Sequence, residues 1–218
     1  MDWNDDLWPL VMQLYQKKPV GVKPMYSRDC VRLALETHIP PQTIYKKMFM
    51  LRQPQQLSLQ TMLDRYASNT RRLNADCSKL RSMNGLGNAS EFYDDVAINE
   101  TWELDFKPVN ARTAQMMGRP LFTPVMLIMI LDLYFRLIPT TMVSETPDVK
   151  ELARTIDVTA ADVVDVLGIY QYCDPFIQHA DSLMDPLLPP CHKIWQRYAN
   201  ADPTVLSNLA HQLQAYFE

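Results

Sequence analysis

Apolar residues recur at helical spacing along most of the chain, in runs set off by prolines and capping residues. Leu7, Leu10, Val11, Leu14 and Tyr15 form one stripe, which predicts a helix over 5–16 that stops before the KKPVGVKP stretch. Ser27 reads as the cap of a helix through Thr37, and Pro41 suits the first turn of the next, through Leu51. Residues 57–82 supply one or two more. Further on, the same signals predict a helix over 124–137, one capped by Thr146 with Pro147 at its first position, and one capped by Thr159. Closing helices are expected over about 190–199 and 203–217. Asp162, three residues after Thr159, makes a capping-box-like pair with it. Between these groups, 94–110 alternates at Val96, Ile98, Thr101, Trp102, Leu104 and Phe106, and predicts a strand or small hairpin.

The order of elements repeats. Shifting the chain by 119 residues sets Leu14-Tyr15 on Leu133-Tyr134, Ser27 on Thr146, Leu33-Ala34 on Leu152-Ala153, Ile39 on Val158 and Ile44 on Val163. A second match, shifted by 132, sets Arg65-Tyr66-Ala67 on Arg197-Tyr198-Ala199, with leucines at helical spacing after each. The difference between the shifts puts thirteen extra residues in the second copy, and DPLLPP at 185–190 is the natural place for much of it. Any two helical segments align at some offset, since both want leucines every three or four residues. Agreement of caps, turns and proline stops argues for more than that.

Both copies resemble the helix-turn-helix superfamily over about twenty residues each. The small residue, the apolar turn residue, the cap position and the apolar residue of the second helix are Ala34, Ile39, Pro40 and Ile44 in copy one. They are Ala153, Val158, Thr159 and Val163 in copy two. The resemblance implies a trihelical corner and places base contacts on the exposed front of the second helix. Copy one departs from the pattern with His38 and Pro40-Pro41 at the turn, where a glycine and a capping hydroxyl are commoner. LRSMNGLGNASEF, at 80–92, loosely resembles the helix-hairpin-helix motif, which implies that backbone N–H groups around Gly85 and Gly87 hold a phosphate. Glu91, Asp94 and Asp95 stand where that family has small or cationic residues. The alternative is a glycine helix stop. The chain as a whole is similar to proteins of Bacteroidetes, a likeness that implies no activity.

Charge separates the copies. From Ile44 to Arg81 there are eight cations against Asp64 and Asp76, whereas from Glu145 to Asp185 there are nine acids against Lys150 and Arg154. Binding a polyanion needs cations that displace its counterions, so copy two is excluded from that route. Copy one offers Gln42, Thr43, Lys46, Lys47 and Arg52 on or near its second helix, and Arg71, Arg72, Lys79 and Arg81 on a later one. Six acids and no base follow at once over 82–106, so internal neutralisation is the competing account.

With 218 residues, 47% of them hydrophobic, the chain can bury one core or two. Five glycines against sixteen prolines lower the expectation of a phosphate-cradling enzyme. Four cysteines without a CxxC pair and an acidic start indicate a reduced, cytoplasmic protein. The apolar run at 125–138 is interrupted by Asp132 and Arg136 and falls short of the ~20 residues that cross a bilayer, so no membrane role is expected. His38, His179, His192 and His211 lie far apart, Cys191 has no activating neighbour, and the acids at 94–105 lack a phosphate loop. No catalytic residue, metal or cofactor is therefore expected. Tyr45 and Tyr66, among cations, are candidates for stacking on a base, with a core role as the alternative.

The expected fold is all-α: tandem helix-turn-helix-like modules at 1–82 and 123–218, joined by a connector at 83–122 with a small extended segment. The apolar helix over 124–137 is expected between the modules. The expected function is non-catalytic association with DNA or RNA, DNA foremost, through the basic face of module one. The alternative is an adaptor or dimeric scaffold, with the acidic second module taking a basic partner or Met48, Phe49 and Met50 forming a homodimer surface.

Overall fold

The computed structural model describes residues 3–83, 101–177 and 183–218, and is all-helical among them. The chain divides into two units, Met1–Glu100 and Thr101–Glu218, each with its own apolar interior.

The first unit is built on α1 (Trp8–Gln16), entered through a 3-10 turn at Asp5–Leu7 that Asn4 caps by accepting from the Asp6 amide at 3.0 Å. Its stripe buries Trp8, Leu10, Val11, Met12 and Leu14. Against it pack α2 (Arg28–Thr37), α3 (Pro41–Arg52) and α5 (Thr70–Met83), while α4 (Leu57–Ala67) lies on α5. Ala34 is fully buried, so the small side chain sits where α2 and α3 cross. The turn between them runs through His38, whose φ of 54° is left-handed, and the Ile39 amide donates back to the Ala34 carbonyl at 3.1 Å.

In the second unit α6 (Thr101–Leu104) and α7 (Ala111–Met117) precede α8 (Pro124–Arg136). Around α8 pack α9 (Pro147–Thr155), α10 (Ala160–Cys173), α11 (Leu188–Tyr198) and α12 (Pro203–Gln214). Eleven consecutive residues of α8, Pro124 to Tyr134, are buried. The helix expected between two modules is thus the centre of one of them, because a helix apolar all round needs cover on every side. The α9–α10 corner turns on Asp157 at φ 56°, with the Val158 amide donating to the Ala153 carbonyl at 3.0 Å. Both corners therefore use a left-handed non-glycine residue followed by the same six-to-one hydrogen bond, at positions 119 residues apart.

Two local expectations need correction. The alternation at 101–106 does not form a strand: Thr101–Leu104 is a helical turn, and no strand occurs among the described residues. Docking decides it. Asp105 accepts from the Val125 amide through its backbone and holds Arg197 bidentately at 2.7 and 3.0 Å through its carboxylate, whereas a lone hairpin has little stability of its own. Residues 94–100 lie outside the described residues. Ser27 and Thr146 occupy cap positions but do not cap through their side chains. The Thr146 hydroxyl donates to the Thr141 carbonyl, and the buried Ser27 hydroxyl has no hydrogen-bond partner among the described residues. Thr159 does cap, with Asp162 closing the box onto the Thr159 amide at 3.0 Å.

Candidate nucleic-acid interface

The first unit's α3 turns Ile44, Met48 and Leu51 inward, and this fixes what faces water. Gln42, Lys46, Phe49, Met50 and Arg52 are exposed, while Thr43, Tyr45 and Lys47 are half-buried. The helix carries no carboxylate. Its expected contact residues divide at this point. The Gln42 amide donates to the Tyr26 hydroxyl at 2.8 Å. Lys47 lies over the rings of Trp3 and Trp8, 4.4 and 5.1 Å from their centroids. Both indole N–H groups donate to one oxygen of Asp5, at 2.9 and 3.1 Å, so Lys47 is held by a built cage. Lys46 and Arg52 point outward, with the Arg52 guanidinium 5.9 Å from the centre of the Phe49 ring.

The basic run on α5 divides as well. Arg71 and Arg72 are exposed near its first turn, where Asn69 accepts from the Arg72 amide at 2.9 Å. Arg81 is paired with Glu36 through two N–H groups and also reaches the Gln13 side-chain oxygen at 3.2 Å. Lys79 lines a cavity of about 560 Å³ together with Asp5, Asp6 and Asp76. Internal carboxylates thus engage Arg81 and line the same cavity as Lys79, while Glu91, Asp94, Asp95 and Glu100, four of the six acids of the stretch after residue 82, lie outside the described residues. Gly85 and Gly87 lie outside the described residues.

No family model, curated protein or solved structure matches the chain. Tyr66 is a packing residue: it is buried and its hydroxyl donates to Asp76 at 2.7 Å. Burial first, and then that hydrogen bond and the Asp76 charge, raise its ionisation above the ordinary range. Tyr45 stays half-exposed, with its ring 5.9 Å from that of Phe49.

In the second unit the second helix of the corner, α10, exposes Ala161, Asp165 and Gly168 and spends Asp162 on its cap. Cys191 is fully buried, and burial pushes its thiol well above the usual range, the opposite of an activated nucleophile. Among the described residues no group of His, Cys, Asp and Glu is arranged to hold a metal, and no helix is long and apolar enough to cross a membrane.

Sequence reasoning passes over Gln53, Gln55 and Gln56, which with Phe49, Met50 and Leu59 line a recess of about 250 Å³ where α3 gives way to α4. The signal that could have found them is RQPQQ, a run of amides around a helix-stopping proline.

Proposed function

We propose that the protein binds nucleic acid without catalysing a reaction, through the solvent face of α3, in a reduced cytoplasmic setting. The observation that carries this reading is the outward placement of Lys46 and Arg52 on a corner helix without a carboxylate. Exposed Arg71 and Arg72 extend the positive field, and four free cysteines accord with the setting. We also read the two units as diverged copies, supported by the matched corners and by central helices, α1 and α8, that each collect a corner pair and the last described helix of their unit.

The test is fluorescence anisotropy with labelled oligonucleotides across a salt series. Lys46→Glu with Arg52→Glu should weaken binding at least tenfold and lower the salt slope by about 2, one for each phosphate no longer neutralised. Arg81→Gln should leave affinity unchanged, because that guanidinium is already paired. Retention indifferent to salt and to the double substitution would remove the reading.

A second reading rests on Phe49, Met50 and Leu57, which are exposed to 46%, 38% and 84%. Apolar exposure of this kind also marks contacts between chains. It requires a dimer in light scattering that Phe49→Glu dissociates.

A further inference from the structure

We infer that the strand taken by this face is unpaired, and that one of its bases enters the recess lined by Phe49, Met50, Leu59 and the amides of Gln53, Gln55 and Gln56. The inference rests on the nucleic-acid reading above and names its substrate class.

Reading a duplex with a corner of this kind requires the N-terminal front of the second helix to reach into a groove. Here that front is committed elsewhere, with Gln42 on Tyr26, Thr43 half-buried and Lys47 in the tryptophan cage. The uncommitted groups lie toward the other end of α3. Phe49 offers a partly open ring, and Lys46 lies one turn before it on the same side of the helix. The Arg52 guanidinium lies over the ring, 5.9 Å from its centroid. An aromatic face between two cations can hold one base with the phosphates on either side of it, and stacking tolerates any base because each has a π-face.

The remaining walls fit the same occupant. Leu59 is buried and makes an apolar floor with Met50. Each glutamine amide carries both a donor and an acceptor, the combination that meets the edge of a base. All three glutamines line the recess, so their amides border the space that a base would occupy. At about 250 Å³ the recess lies below the roughly 300–1,000 Å³ of pockets for larger ligands, and suits a single ring system.

The experiment uses the full chain with a fluorescein-labelled single-stranded 12-mer and the same sequence as a duplex. The single strand should bind at least tenfold more tightly. Phe49→Ala should cost it roughly tenfold or more and leave duplex binding unchanged, and Phe49→Trp should restore it. Unchanged melting of each variant by circular dichroism separates lost stacking from lost folding. Binding of both forms with Phe49→Ala inert, or preference for the duplex, overturns the inference while the nucleic-acid reading stands. Binding of neither form removes both. A Phe49→Ala effect confined to dissociating a dimer assigns the patch to a protein contact and also overturns the inference.

Discussion

His38 and Asp157 hold φ values of 54° and 56°, a region where a Cβ crowds the following carbonyl and glycine does not. Each persists because the following amide closes a hydrogen bond onto Ala34 or Ala153, and Ile39 and Val158 seal the corner. Asp157 is exposed, so its side chain contributes little packing. Asp157→Gly should therefore stabilise the fold by up to about 1 kcal/mol in urea unfolding. Thr159→Ala should act in the other direction, costing about 1 kcal/mol, because it strips the acceptor that the Asp162 amide uses at 3.1 Å. Replacing Ser27 with alanine should cost less than that, since its hydroxyl caps nothing.

At the scale of elements, helices were legible wherever a stripe of apolar residues met a proline or a cap. That covers α1 to α5 and α8 to α12. The strand expected around 101–106 failed because alternation over six residues also fits a helical turn, and the deciding contact, Asp105 with Arg197, lies far away in sequence. α7 gave no apolar stripe. It is held by Asn110, whose side chain donates to the Pro120 carbonyl at 2.9 Å and accepts from the Phe122 amide at 2.8 Å. The candidate site was legible in residue types and not in partners: Lys46 and Lys47 are neighbours in the chain, yet one faces water and the other two indoles. Among elements α8 has the most to lose. Leu131, fully buried at its middle, should cost about 2–5 kcal/mol as Leu131→Ala.

Across the whole molecule, charge differs by unit, whereas buried thiols shift the same way in both. Met1–Glu100 carries thirteen cations and eleven acids, and Thr101–Glu218 eight and fourteen. Burial pushes the thiols of Cys30, Cys77 and Cys173 up to about 12, 11 and 11 from an ordinary 9.0. A raised folded value means that the native state keeps protons the unfolded chain has released. Stability is then fully present below about pH 9 and declines as pH climbs through 11. Urea midpoints recorded across that range should fall steadily. Near pH 8 a thiol reagent should label the native chain slowly and the denatured chain at once.

The enclosure of α8 has a consequence for any shortened form. Its sides are shared among four later helices, two of which, α11 and α12, come from the last part of the chain. A polypeptide cut after Cys173 would leave Leu127 to Leu133 bare on those sides, and apolar surface of that extent drives self-association. Such a fragment should be recovered in inclusion bodies, and proteolytic nicking before α11 should turn a clear solution turbid.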